Sequence, residues 1–560
     1  MQNNKPLTEN ERKILRGEQF ENASTLYAPV EFTAKLFPAN VALRFLGKNI
    51  TYAVLRKNVE KYAACFIAAG LQSGEAVTFA LPNIPESVYV LYAAAKAGLR
   101  VAPLHPLAAP DAVRVAMQKS GSRLVFALGD NARGIARACP FAVAVAVSPA
   151  HALGVKDAFY RIKHPLPARN GNLVRLRDFL RAPAALPLAA PSVSCPAHAE
   201  TSILLQSGGT TGTPKVIGLS ARAVNDLARR GLGILGREKG TDCGMLSVLP
   251  VFHGFGLAMG VHAMLCHGGK NVIFPKFHRA SAVKEIRKGN VQFIIGVPRL
   301  YEALLSHPRF CGKALRSMVV AFVGGDFVSH TLLKNFDRHV AQSGGACRLL
   351  EGYGLTETVT VCAVNTAREN RDETVGKPLC GIEICAFDFS QDPPALLPAD
   401  EKGELAVAGD TLMTEYVGDA SATNAVFFTH EGKRFVRTGD CGYIDPDGFV
   451  HFVSRYKRII KVRGVPVYPM EIEQLVVAQA GVEDACVVPE QSERGEQKIV
   501  LFVQTRDASL QKTLPALIRE KISEFAVPDE VVICAQFPLT NVSKIDTNAL
   551  LQNRKRETES

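Results

Sequence analysis

Four short apolar runs break off into glycine or polar residues, and this repeated junction restricts the chain to few architectures. Thr201-Ser202-Ile203-Leu204-Leu205 opens into Gln206-Ser207-Gly208-Gly209-Thr210-Thr211-Gly212-Thr213-Pro214-Lys215-Val216. Gly244-Met245-Leu246-Ser247-Val248-Leu249 passes into Pro250-Val251-Phe252-His253-Gly254-Phe255-Gly256-Leu257. Met318–Val323 ends in Gly324-Gly325-Asp326, and Arg348-Leu349-Leu350 in Glu351-Gly352-Tyr353-Gly354-Leu355-Thr356-Glu357. Runs of this length suit buried strands. Open α/β sheets hold ligands beyond the carboxyl ends of their strands. Four such mouths therefore predict one converging cleft.

The stretch Ser207–Lys215 carries three glycines and three threonines, a composition that no hydrophobic core favours. Glycine lets backbone approach a ligand closely. Successive exposed N–H groups with interleaved hydroxyls form a concavity for anions, phosphate above all, and Lys215 adds a mobile point charge. A flexible surface turn is the plainer alternative. A Walker A loop is excluded, because it requires Gly-Lys-Ser/Thr and here Lys215 lies between Pro214 and Val216.

Elsewhere, helical and strand patterns alternate. A hairpin is expected at 41–52, helices at 53–69 and 86–97, and strands at 76–80, 100–104, 124–127 and 142–147. Residues 1–40 read as a polar lead-in with one helix, and 148–200 as surface excursions. From about 378, glycine-punctuated strands indicate a smaller β-rich unit. After the basic run Arg455-Tyr456-Lys457-Arg458 an α+β pattern begins. The expected fold is α/β: a large N-terminal body of layered α/β sheets with a small β-rich unit (1–456), and a small mobile α+β domain (457–560).

With 47% apolar and 21% charged residues, a chain of 560 can bury large cores. Thirteen cysteines lack any Cys-x-x-Cys pair and read as reduced core fillers, which suggests a cytoplasmic protein. No signal peptide or transmembrane segment is evident; Val88–Gly98 and Leu246–Leu265 are too short or too interrupted to span a bilayer. A net charge of +12 favours anionic ligands. It is spread along the chain without a recognition helix or aromatic platform, so no nucleic acid is expected.

Taken in order, the motifs resemble those of the adenylate-forming superfamily of acyl- and aryl-CoA synthetases, luciferases and peptide-synthetase adenylation domains. The matching segments are Asn83-Ile84-Pro85-Glu86, Ser207–Lys215, Pro250–His253, Tyr353–Glu357, Gly403-Glu404-Leu405, Thr438-Gly439-Asp440, Arg455-Tyr456-Lys457, Ile460–Gly464, Tyr468–Glu473 and Pro538–Ile545. The resemblance implies attack of a carboxylate on the α-phosphorus of ATP, with release of pyrophosphate. A thiol, usually of coenzyme A, then displaces AMP to give a thioester.

The same resemblance assigns roles. Ser207, Gly208, Gly209, Thr210, Thr211, Gly212, Thr213 and Lys215 would wrap the ATP phosphates. Thr356 would meet the α-phosphate and Glu357 would bind Mg²⁺. Tyr353 would lie against adenine, with Gly325 and Asp326 nearby, and Asp440 and Arg455 would hold the ribose. Lys544 would be the principal catalytic cation, bridging carboxylate and phosphate. Lys457 would be the pivot of a domain rotation that brings Lys461 and Gly464 to the thiol substrate.

Several positions depart from the commonest family pattern: Gly208, Val216, Gly324-Gly325-Asp326, Glu415, Ser454 and Ser543. His253 stands where amino-acid-activating relatives carry aspartate, which argues for a simple organic acid and for a gate at the acid site. Small residues at Gly254, Gly256, Gly260, Gly325 and Gly352, beside Phe255 and Met259, leave room for a chain or ring. The expected substrates are a fatty acid first and an aromatic acid second, with ATP and CoA. A separate acyl carrier protein is the alternative acceptor, and an inactive basic scaffold the alternative of another class. The oligomeric state is not legible.

Overall fold

The computed structural model describes residues 7–188, 200–207, 215–235, 243–462, 465–491, 497–538 and 545–559. Chain contacts separate two compact units. The larger comprises the described residues of Met1–Val328, Leu332–Glu383 and Val407–Val436; the smaller comprises Ser329–Thr331, Ile384–Ala406 and those of Arg437–Ser560.

Two sheets build the larger unit. In one the strand order is Lys377–Pro378, Val361–Val364, Leu349–Gly354, Val320–Val323, Phe293–Gly296, Gly244–Ser247, Lys270–Ile273, Val41–Phe45 and Lys48–Thr51. In the other it is Glu415–Tyr416, Val216–Ser220, Thr201–Gln206, Arg100–Pro103, Ala76–Ala80, Leu124–Leu128, Val143–Val147 and Leu173–Arg175. Their central strands run parallel and are buried on both faces, as their uninterrupted apolar sequences require. Helices Arg279–Arg287, Pro298–Leu305 and His330–Gln342 contribute Ile286, Tyr301, Leu304, Phe336 and Val340 to a core shared with Ile294, Ala321 and Leu349. Under the other sheet, Tyr62, Phe66, Phe126 and Phe179 pack with ring centroids 5.2–6.4 Å apart.

A six-stranded sheet follows the order Ala395–Leu396, Ile382–Asp388, Gly403–Gly409, Lys433–Ile444 and Phe427–His430, with Val450–Arg455 also paired to Lys433–Ile444. Past Arg458 the chain forms the hairpin Ile460–Val462/Val465–Val467. A three-stranded sheet then orders Val482–Gln491, Gln497–Thr505 and Glu530–Cys534. Helices Pro469–Val477 and Leu510–Lys521 lay Ile472, Val476, Leu514 and Ile518 on its core. The architecture is thus a large body of layered mixed sheets and a small C-terminal α+β domain.

Two expectations need correction. The lead-in holds two α-helices, Glu9–Arg16 and Ala28–Leu36, not one; the second is short and its apolar residues lack a clean helical stripe. Residues 148–188 contain the helices Val155–Lys163 and Leu176–Arg181 and the edge strand Leu173–Arg175, where only surface excursions were expected. The twelve cysteines among the described residues are free thiols, eight of them buried.

Glu86 opens the helix Pro85–Lys96 and is 1% exposed. Burial pushes its carboxyl up to about 8; its own backbone amide and Lys48 offset part of that, while Asp157 adds to it. The folded state therefore retains a proton that the unfolded chain releases at the ordinary carboxylate pKa. Stability contributed here falls as pH rises from about 4.3 to about 8 and is level above. Glu86→Gln is expected to flatten this slope and to stabilise the protein at pH 9 by at least about 1 kcal/mol, read from denaturant unfolding at pH 5, 7 and 9.

Candidate active site

The strands Thr201–Gln206 and Val216–Ser220 pair antiparallel, with Gln206 opposite Val216. The glycine- and threonine-rich stretch therefore connects two adjacent antiparallel strands. Residues Gly208–Pro214 lie outside the described residues, but the neck is defined: Ser207 N donates to Lys215 O (2.9 Å) and Lys215 N to Ser207 Oγ (3.0 Å). Ser207 and Lys215, which flank the stretch, are thus tied to each other by one backbone bond and one bond to a hydroxyl.

Beside the neck, Tyr416 pairs in register with Ile217. The Lys215 ammonium lies 4.1 Å from the centroid of its ring, and its hydroxyl donates to Glu357 Oε1 at 2.8 Å. One aromatic ring thus carries a cation on its face and a carboxylate at its tip. Burial and the Glu357 charge raise the Tyr416 pKa, which keeps the phenol a donor. Met413 N donates to Glu357 O at 2.7 Å, a second tie between these segments.

Glu357 follows the strand Leu349–Gly354 through the turn Thr356–Thr358. Thr358 is fully buried, and its hydroxyl donates to Leu355 O at 3.0 Å. The next residue, Val359, has φ +66, an outlier for a β-branched side chain that costs about 1–3 kcal/mol. A Cβ added at Gly254 would stand 2.0 Å from Val359 O, and one at Gly354 1.5 Å from Thr360 O. The turn that presents Glu357 is thus pressed against the residue after His253.

His253 precedes a π-helical segment, Phe255–His262, a deformation frequent at functional sites. Asn83, 4% exposed, holds the loop before it. Its amide donates to Ser247 O (3.0 Å) and Leu249 O (2.8 Å), and its oxygen accepts from Val251 N (3.0 Å). The His253 ring lies 4.7 Å from that of Phe252, which meets His105 at 5.1 Å. Tyr353 is half-buried, and Gly324 and Gly352 approach backbone to backbone: a Cβ at Gly324 would lie 2.6 Å from Gly352 O. Gly325 has φ +80, and Asp326 is exposed with Oδ1 accepting from Phe327 N.

At four of the five small residues expected to leave room, an added Cβ would meet packed atoms. Gly254 faces Val359 O, Gly256 faces Pro250 O at 2.2 Å, Gly260 faces Ile295 Cδ1 at 3.1 Å, and Gly352 faces Val364 Cγ2 at 3.3 Å. Those glycines serve close packing, and only Gly325 has no atom nearer than 3.8 Å.

In the smaller unit, Asp440 is 1% exposed and sits directly across from Arg455, whose Nε lies 3.3 Å from Oδ1. Glu404 sets the approach to it, gripping Arg437 with both oxygens (3.1 and 2.6 Å) and accepting from Gly439 N (3.1 Å). Lys457 is exposed in the turn Tyr456–Arg458. Just past it, Arg458 meets Glu473 at 2.5 Å, and Glu473 also accepts from Val487 N at 2.8 Å. Lys402 lies 4.9 Å from the Tyr468 ring centroid and 3.4 Å from Glu471. Lys461 pairs with Pro466 in the small hairpin; Gly464 and Lys544 lie outside the described residues.

The AMP-binding enzyme model matches residues 30–417 and the AMP-binding enzyme C-terminal domain residues 471–544. The chain belongs to the AMP-binding enzyme family. It is 27% identical to a long-chain-fatty-acid–CoA ligase of Bacillus subtilis (strain 168), covering 94% of each chain. It is likewise 27% identical to a feruloyl-CoA synthase of Amycolatopsis sp, covering 91% of this chain and 95% of that one. ATP-bound MatB from Rhodopseudomonas palustris shares the fold, with TM-score 0.78 at 22% identity over 94% of this chain and 99% of that one. This AMP-binding enzyme is a member of the adenylate-forming ligases, and no helix among its described residues is long and apolar enough to cross a membrane.

Tyr416, Asn83 and Glu404 acquire positions here that their motifs alone did not reveal. The signals were an aromatic in register beside the loop's return strand, and polar residues inside apolar runs. Gly254→Ala is expected to leave the protein folded while pushing Val359, and Glu357 with it, out of place. Adenylate formation, measured by pyrophosphate exchange, should fall about a hundredfold, whereas Gly233→Ala, on a helix with nothing within 4 Å of its Cβ and no positive φ, should change it little.

Proposed function

We propose that this AMP-binding enzyme is an ATP-dependent acid–CoA ligase that activates its acid as an acyl-adenylate. The observation that carries the reading is the Lys215–Tyr416–Glu357 arrangement at the neck of the glycine-rich hairpin. It joins the base of an anion-binding loop to a carboxylate through one ring, as a site for a metal-bound polyphosphate requires.

Ser207–Lys215 holds the nucleotide phosphates and Thr356 reaches the α-phosphate. Tyr353, Gly325 and Asp326 bound the adenine, while Asp440 and Arg455 take the ribose hydroxyls. Among the described residues no cluster of three His, Cys, Asp or Glu side chains could hold a metal by itself. Magnesium held mainly by phosphates and waters needs only one or two carboxylates, so Glu357 fits it; once bound, the ion would neutralise charge developing on the phosphates. Lys544 brings the acid carboxylate to the α-phosphorus: an oxygen of the acid bonds to phosphorus and pyrophosphate departs. The domain beginning at Lys457 then turns, Lys461 and Gly464 admit CoA, and its sulfur displaces AMP from the acyl carbon.

The acid is aromatic in preference to a long fatty chain. Four of the five glycines that promised space face packed atoms. The feruloyl-CoA synthase is as close in sequence as the fatty-acid ligase. Discrimination by ring against chain in such a pocket is worth about 1–3 kcal/mol per misplaced methylene.

Pyrophosphate exchange with cinnamic-, benzoic- and fatty-acid panels, followed by product mass with CoA or holo-carrier protein, tests the reading. Exchange with aryl acids and aryl-CoA products are expected; exchange with no acid would overturn it, and carrier loading without CoA turnover would replace the acceptor. Lys544→Ala is expected to lose adenylate formation but keep most thioester formation from supplied acyl-AMP. Equal loss in both half-reactions would remove the rotation from the mechanism.

A further inference from the structure

The helix Val155–Lys163 is turned inside out. Asp157, its acidic residue, is 3% exposed and accepts a 2.5 Å hydrogen bond from Ser148 Oγ, with Arg161 Nε at 2.9 Å and His151 Nδ1 at 3.9 Å. Its large apolar side chains face solvent: Val155 is 76% exposed, Phe159 68% and Ile162 77%. At 100° per residue these three fall within an arc of about 60°. Lys156 and Lys163 border that arc on one side, Ala158 borders it on the other, and Asp157 and Arg161 point away. A buried polar network, not apolar burial, fixes the orientation of this helix.

Exposed apolar side chains grouped in this way mark a contact surface, and the surrounding charge states what fits it. From His151 to Arg177 there are six basic residues and one acidic one, Asp157, already paired with Arg161. Lys156 and Lys163 are exposed beside the apolar stripe, and Arg169 further along the chain is exposed too. A second copy of the chain would bring lysine against lysine with no acid to meet them. An anionic bilayer offers both an apolar interior and phosphates at its rim. Since no helix among the described residues could span a membrane, such contact lies in the plane of the interface.

We infer that Val155–Lys163 is a docking face for an anionic lipid surface. Phe159, Ile162 and Val155 enter the boundary between headgroups and acyl chains, and Lys156 and Lys163 pair with lipid phosphates. Three anchors on a nine-residue helix give reversible attachment, which salt weakens. The inference is independent of which acid the enzyme activates.

Flotation of the full chain with phosphatidylcholine vesicles, with or without phosphatidylglycerol, tests it. Binding to the anionic vesicles alone is expected. Lys156→Glu/Lys163→Glu should lower the partition coefficient at least about thirtyfold, and Phe159→Ser/Ile162→Ser by at least about tenfold. Both variants should keep the parent melting temperature, since every altered side chain is exposed. Absence of binding to anionic vesicles, or equal binding by parent and variants, would overturn the inference. So would a parent dimer that Phe159→Ser/Ile162→Ser converts to monomer, because a second copy would then cover the face.

Discussion

The geometry of the candidate active site in the larger unit depends on main chain meeting main chain where a side chain would begin. Val359 O fills the Cβ position of Gly254, Thr360 O that of Gly354, and Gly352 O approaches that of Gly324. These contacts join the segments carrying His253, Tyr353 and Glu357 with nothing flexible between them. A peptide carbonyl has no rotamers, so the spacing of the three segments is set by covalent geometry and by the strained φ of Val359. Preorganisation of that kind is what a charge-stabilising site demands, because groups that need not reorganise act most strongly on a developing charge.

This also explains how much could be read from the sequence. The strands were legible because short apolar runs bounded by turns have few other uses: Ala76–Ala80 falls where its pattern places it and Leu124–Leu128 runs one residue beyond. The glycines at strand ends were legible as points of close approach, but their partner was not. Composition cannot distinguish a ligand from a neighbouring peptide, so the close backbone neighbours of Gly254 and Gly256 could not be foreseen. Val216–Ser220 went unnoticed because a strand that returns beside its predecessor at once looks like the loop's continuation into the following helix.

The polar supports were least legible. Asn83 acts on Ser247, Leu249 and Val251, more than 160 residues away, and Glu404 acts on Arg437 and Gly439. Each lay inside a quoted motif, yet only folding reveals which backbone groups they satisfy. Tyr416 shows the same limit from another side. Its worth lies in having Lys215 over its face and Glu357 at its hydroxyl, and those residues are separated from each other by 142 positions of sequence.

The two sides of Lys457 are bound with unequal strength, and this has a mechanical consequence. Arg458 and Glu473 both follow Lys457, the proposed pivot, and their partly buried tie, reinforced by Val487 N, would travel with a turning domain as a stiff collar. Lys402 precedes the pivot, and its partners Tyr468 and Glu471 follow it. Those are solvent-accessible contacts of the kind worth roughly 1 kcal/mol or less apiece. If the domain beginning at Lys457 turns as proposed, the swing would leave the collar whole and part the weak Lys402 tether.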